Sequence, residues 1–129
     1  MDLLRVFYVS RPVGDAHQFV RQLLAKCQLN NRRRDVTGML AFSGAHFAQV
    51  LEGQAGEVRP LIEAVARDAR HTGMRIVFEE PTATRDFGSW SMGYVEGFGA
   101  ADRIEALLTD PAGPDVREFA QRLFAEPRL

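Results

Sequence analysis

The 129-residue chain has one cysteine, three histidines and a single tryptophan. The lone cysteine, Cys27, excludes an internal disulfide and fits a reducing compartment. His17, His46 and His71 share no ligand spacing and Cys27 has no cysteine partner, so no metal site is expected. No apolar run nears the ~18 residues that span a bilayer, so no membrane partner is expected. The N-terminus, MDLLRVFYVS, lacks the basic region and cleavage site of a signal peptide. A cytoplasmic protein is expected. Neither sign of charge dominates: 16 basic and 17 acidic residues leave a formal net charge of -1, and with it no global field to gather nucleic acid. The one basic run, Arg32 to Arg34, reads as a solvated turn rather than a nucleic-acid surface. GxSxG, GxGxxG and P-loop patterns are all missing, which argues against a serine hydrolase and a glycine-rich phosphate cradle.

What is present is an ordinary apolar content, 46 %, enough for one packed domain. LLRVFYVS (3–10) alternates as a strand, with Leu4, Val6, Tyr8 and Ser10 on one face and Arg5, Phe7 and Val9 on the other. Asp15 with Gln18 resembles a capping box and predicts a helix start. Phe19, Val20, Leu23, Leu24 and Cys27 then repeat at helical spacing, and Asn31 continues that stripe. RRRD (32–35) reads as a polar connection. VTGMLAFS (36–43) and HFAQVLEG (46–53) predict a hairpin. A second helix is expected over 57–68, with Val58, Leu61, Ile62 and Val65 inward and Pro60 in or near its first turn. RIVFEE (75–80) predicts a fourth strand ended by Pro81. A fifth is expected over 89–95, with Trp90, Met92 and Tyr94 on one face.

The order β-α-β-β-α-β-β predicts a ferredoxin-like α+β fold. Right-handed crossovers put both helices on one face of one sheet. The apolar positions of 104–108 and 116–124, split by DPAGPD (110–115), predict a two-helix cap on the other face. Residues 127–129 are expected to fray.

Three polar residues interrupt this apolar pattern. Tyr8 and Gln49 fall on the helix-covered face, and Asn31 lies on the core stripe of the first helix. A buried amide left without partners costs about 1–3 kcal/mol per unmade bond. The three can satisfy one another, or they can line a pocket for a flat polar ligand. Spacing favours neither.

Five segments together carry a resemblance. They are RVFYVSR (5–11) with Tyr8, NNRRRDVTG (30–38) with Asn31, FAQVLEG (47–53) with Gln49, RDARH (67–71), and FGSWSMGY (87–94) with Trp90 and Met92. In order and separation they resemble the BLUF family, blue-light sensors that use a flavin. The resemblance covers about residues 2 to 96. It implies a flavin-binding domain over 1–96 and a helical cap over 97–129 in the same globular unit, as in short, single-domain members without an attached output enzyme. Ala48 departs from the larger apolar residue expected there, and it should face the cap.

The resemblance implies that a non-covalent flavin, FAD first and FMN second, lies between the two helices, edge-on to Tyr8 and Gln49. Asn31 would bond the polar edge of the ring. Arg70, or His71 beside it, would reach another ring carbonyl. Ser10 and Leu51 flank the photoactive pair, and Val20, Leu24, Leu61 and Ile62 would form apolar walls. Tyr8 would donate an electron and a proton. Gln49 would rearrange its hydrogen bonds, and the strand bearing Trp90 and Met92 would pass the change on. Which of those two faces the flavin in the dark stays open. No enzymatic activity is implied. The output would be a downstream protein partner, or self-association into a homo-oligomer. Two rivals remain: a ferredoxin-like small-molecule-binding regulatory module without photochemistry, and an acylphosphatase-type enzyme built on Arg11 with Asn30 or Asn31.

Overall fold

The computed structural model describes residues 3–88, 90–112 and 115–125. The expected start of the fifth strand at Ser89, the middle of the 110–115 turn and the 127–129 tail lie outside the described residues. In chain order the elements are β1 (Leu3–Pro12), α1 (Val20–Arg34), β2 (Thr37–Phe42), β3 (Phe47–Gln54), α2 (Ala55–Ala66), β4 (His71–Thr82), β5 (Gly93–Glu96), α3 (Ala101–Thr109) and α4 (Val116–Leu123). The sheet runs β4-β1-β3-β2-β5. Its first four strands pair antiparallel, and β5 adds parallel to β2. This is the expected ferredoxin-like α+β arrangement with one extra strand.

Strand alternation sorts the core into two layers. Leu4, Val6, Leu40 and Leu51 of the sheet pack against Leu24 of α1 and Val58 of α2. Phe7, Val9, Met39, Ala48 and Val50 pack against Ile104 and Leu107 of α3 and Leu123 of α4. Phe7 is fully buried, with its ring 5.6 Å from Phe78 and 5.7 Å, edge-on, from Phe124. Such aromatic pairs add about 0.5–1.5 kcal/mol to simple burial. Ala48, small as it is, closes on the cap side. No helix among the described residues is long and apolar enough to cross a membrane.

Several element boundaries differ from expectation. Asp15 accepts from the His17 N–H at 3.0 Å, but it caps only a short 3₁₀ turn, Ala16–Gln18. Phe19 then leaves helical backbone angles (φ -122°), where its ring packs 6.3 Å from Phe47. Helix α1 therefore starts at Val20. The arginines of RRRD are its last turn rather than a connection, and cations there complement the helix dipole. Asp35, at φ 55°, is the left-handed cap that ends it. Helix α2 starts two residues early, so Pro60 falls in its second turn and removes the N–H that would reach the Gly56 carbonyl. Strand β4 runs through Pro81 to Thr82, with Pro81 opposite Leu4. It is an edge strand, where a missing N–H costs no ladder bond.

The fifth strand is shorter than expected, and residues 90–92 precede it. Trp90 packs on the cap side, whereas Met92 and Tyr94 pack on the helix side. A two-residue period cannot be carried through the bends at 91 and 92. Gly38 fixes where this segment lies. Its N–H donates to the Trp90 carbonyl at 3.0 Å, and a side chain there would strike the Val50 carbonyl.

Candidate functional site

Residues Tyr8 and Gln49 are direct partners in the β1–β3 register. Both side chains rise on the helix face, and both are about 4 % exposed. The Tyr8 O–H donates to Gln49 Oε1. Gln49 Nε2 donates to Met92 Sδ at 3.4 Å. Turning the amide over would set Oε1 against the sulfur, two acceptors face to face, so this orientation is the satisfied one. Helix α1 holds the segment carrying Met92 in place. Asn31 Nδ2 donates to the Ser91 carbonyl at 2.9 Å and Gln28 Nε2 to the Met92 carbonyl at 3.0 Å.

Above this pair, α1 and α2 part to leave a cleft of about 180 Å³. Its floor is Tyr8, Phe47 and Gln49. Leu23, Cys27 and Asn31 form one wall, and Leu61, Ala64 and Val65 the other. Lys26, Asn30, Asp68, Arg70 and His71 ring the opening. Apolar walls with a few placed polar groups are the usual build of a small-molecule site. The volume is below the ~300 Å³ of pockets that enclose a drug-sized ligand, so a ligand of that size would lie partly outside the cleft.

The expected site residues divide between this cleft and other places. Tyr8, Asn31, Gln49, Leu61, Arg70 and His71 line it. Ser10 sits behind His71, 2.8 Å from its Nδ1, while His71 Nε2 contacts the Val65 carbonyl. Leu51 is buried in the helix-side core, and Ile62 packs against that core. Val20 and Leu24 do not reach the cleft. They line a separate groove with Gln28 and Tyr94, toward β5. The stripe of α1 is wide enough to serve two neighbours, and the row Leu23–Cys27–Asn31 is the one that meets α2. Trp90 lies across the sheet in a groove beside Phe87, Gln121 and Phe124. Of Trp90 and Met92, it is Met92 that touches Gln49. Arg11 is paired with Glu105 of α3 at 2.6 Å, whereas Asn30 and Asn31 line the cleft under α1 and α2, which Arg11 does not line, so the Arg–Asn pair of an acylphosphatase is not assembled.

The cleft residues missed by sequence reasoning were each signalled weakly. Phe47 shares the alternation of Gln49. Leu23 and Cys27 are Asn31's own helical row. Asp68 stands two residues from Arg70 in RDARH. Its carboxylate accepts from Arg70 Nε at 3.0 Å and Nη2 at 2.6 Å. That partnership lowers the Asp68 pKa to about 2. The Tyr8 phenol is shifted strongly upward, first by burial, then by the negative charge that Cys27 and Asp68 can carry. Burial also raises the Cys27 thiol, against the pull of Arg70. Tyr8 therefore keeps its proton at neutral pH and is a hydrogen-bond donor to Gln49.

The donor set suits the ring of a flavin. Its pyrimidine edge alternates N–H and carbonyl groups, which the amides and the guanidinium at the cleft can meet, and its flat body suits the slot between two helices. Fold and cleft together define an α+β domain with a small-molecule cleft under its two helices. The model of the family described as sensors of blue light using FAD, BLUF, matches residues 3–93. The photoactivated adenylate cyclase subunit beta of Euglena longa is 27 % identical over 127 residues, which is 96 % of this chain and 14 % of that protein. The blue light- and temperature-regulated antirepressor BluF of Escherichia coli is 32 % identical over 73 residues, 57 % of this chain and 18 % of that protein. The chain thus spans less than a fifth of the length of these curated relatives. The dark-state structure of BlrB, a BLUF protein, superposes with a TM-score of 0.80 at 28 % identity, covering 96 % of each chain. This chain belongs to the BLUF family, whose members bind a flavin and sense blue light.

Proposed function

We propose that this chain senses blue light through the Tyr8–Gln49–Met92 hydrogen-bond chain at the floor of its cleft. The observation that carries this reading is the Gln49 amide, shared between a phenol that donates to it and a thioether that accepts from it. A flavin, FAD first and FMN second, would be held by Asn31, Arg70 and the apolar walls. When bound it supplies the absorption of blue light and, once excited, an oxidant strong enough to draw an electron from a phenol in contact.

The chain's own residues do the rest. Tyr8 is the phenol on the floor. With an electron withdrawn its O–H becomes strongly acidic, and Gln49 Oε1 already accepts that hydrogen bond, so the proton has a place to go. Gln49 can accept and donate, so it can exchange its two ends. In the exchanged state the Tyr8 oxygen meets an N–H, and Met92 loses its donor. Once the electron and the proton have returned to Tyr8, the two arrangements have the same covalent structure and differ only in hydrogen bonds. Such a local change needs a two-state element to be read at a distance. Met92 and the 85–92 segment are that element, and α3 and α4 carry the change onward.

On this reading residues 1–96 sense, residues 97–129 cap the same unit, and neither part is an enzyme. The output is contact with a downstream protein or assembly into a homo-oligomer. The lone cysteine suits the cytoplasm.

The test is spectroscopic. The purified protein should be yellow, and blue light should shift its flavin absorption reversibly to the red. Gln49→Leu should stay yellow without shifting. A colourless protein would sink flavin binding, and a normal photocycle in Gln49→Leu would sink the switch.

A further inference from the structure

On the opposite face of the sheet, three residues along β3 from Gln49, lies a carboxylate that the switch does not use. Glu52 is fully buried, at 0 % exposure. Its Oε2 accepts from Arg5 Nε at 3.0 Å and from the Asp86 N–H at 2.8 Å. Its Oε1 accepts from Thr37 Oγ1 at 3.3 Å and from the Phe87 N–H at 2.9 Å. Two consecutive backbone N–H groups of the β4–β5 connection are therefore hung on one side chain of β3. The far end of the same connection is Met92, bonded to Gln49 of the same strand.

We propose that Glu52 is the positioning residue that lets a change at Gln49 reach α4. This rests on the light-sensing reading given above. A segment pinned at 86–87 and pulled at 92 turns about its pinned end. The residue between is Trp90, and it faces Phe124 and Gln121 across a groove that Phe87 also lines. Phe87 itself stands edge-on to Phe124, 5.9 Å between ring centroids. Arg5 runs a second line from Glu52 through Glu80, at 3.6 Å, to Arg117 of α4. Without the pin, a displacement at Met92 would be spread along the whole connection instead of being turned onto Trp90 and Phe87.

The chemistry requires a carboxylate. It accepts on both oxygens, and its bonds to N–H groups are stronger than neutral ones. Glutamine has the same shape but turns an NH₂ toward one of the two backbone N–H groups. Glu52→Gln should therefore unhook one of the two hydrogen bonds without touching the cleft.

The experiment compares full-length wild type, Glu52→Gln and Asp86→Pro, each with bound flavin. The red shift is recorded first. Hydrogen exchange of residues 116–123 is then measured in the dark and under blue light. Wild type should shift and should change its exchange at α4. Both variants should shift as wild type does but lose the light–dark difference at α4. A merely structural role would raise exchange equally in dark and light and keep that difference, and this outcome overturns the proposal. Should Glu52→Gln fail to bind flavin, Asp86→Pro, which keeps Glu52 but removes the Asp86 N–H and the Asp86 carboxylate beside Arg5, is compared with Asp86→Ala, which removes that carboxylate alone, and a loss of the α4 difference in the proline variant only decides for the pin. A wild type with a red shift but no light-dependent change at α4 overturns the Glu52 role alone. A wild type with no red shift overturns the light-sensing reading, and the Glu52 role with it.

Discussion

The two faces of this sheet are built from the same strands and behave as different materials. On β1 and β3 the residues alternate: Tyr8 and Gln49 point to the helices, while Phe7, Ala48 and Val50 point to the cap. The cap face is covered by α3 and α4. Its rings interlock, and its buried charge, Glu52, has both oxygens engaged. The helix face is left open over a polar pair whose amide has two different ends, one accepting from Tyr8 and one donating to Met92. A two-residue period thus puts an adaptable surface and a stiff one 180° apart on one backbone. A hydrogen-bond exchange on one face then works against a rigid reference on the other.

The largest expected effect breaks the stiff side. Glu52→Ala removes the acceptor of Arg5, Thr37 and two backbone N–H groups at once. Breaking a buried ion pair by deleting one partner costs about 3–5 kcal/mol. Denaturant unfolding should show a loss of that size, and a loss near zero would mean that water replaces the carboxylate. Leu107→Ala, also fully buried on the cap face, should cost about 2–5 kcal/mol by leaving a cavity. The folded Leu107→Ala protein should still bind flavin and shift, because nothing at the cleft has changed. Loss of the shift there would erase the distinction between the faces.

On the adaptable side, function should fall further than stability. Tyr8→Phe leaves Gln49 Oε1 without its donor, about 1–3 kcal/mol, yet it should remove the red shift completely. Flavin absorption before and after illumination, beside an unfolding curve, checks both halves. A retained shift in Tyr8→Phe would move the electron donor elsewhere.

How far the sequence reveals this division depends on regularity. Wherever the period held, as in β1 and β3, the face of each residue was legible from the pattern, and the element order led to the ferredoxin-like sheet. It failed where backbone turns replaced the period. Trp90 and Met92 are two residues apart and would share a face in a strand, but bends at 91 and 92 send them to opposite sides. Helix α1 shows the same limit in another form. Its apolar stripe was visible, but its split into a cleft row at Leu23 and Cys27 and an outer row at Val20 and Leu24 depends on where α2 lies. Glu52 stands near the end of the predicted strand over 46–53, where a charged residue draws no notice. Its burial follows from the distant segments 85–87 and Arg5, which no local pattern announces.

The smallest predicted effect lies at the rim of the open face, where Asp68 meets Arg70. The folded protein holds the Asp68 pKa at about 2, against an ordinary 3.8. A depressed carboxylate pKa contributes stability above the unfolded value, and that contribution is lost as pH falls through the folded value. The pair should therefore be fully effective at neutral pH and weaken between about pH 4 and pH 2. Its side chains are 34 % and 28 % exposed, so solvent screening keeps the contribution under about 1 kcal/mol. Acid titration of wild type and Asp68→Asn should show a small extra loss in that window for wild type alone. Parallel curves would place the Asp68 partnership outside the folding balance. A difference confined to that window would show that the cleft rim tolerates change at a cost far below that of the Glu52 anchor.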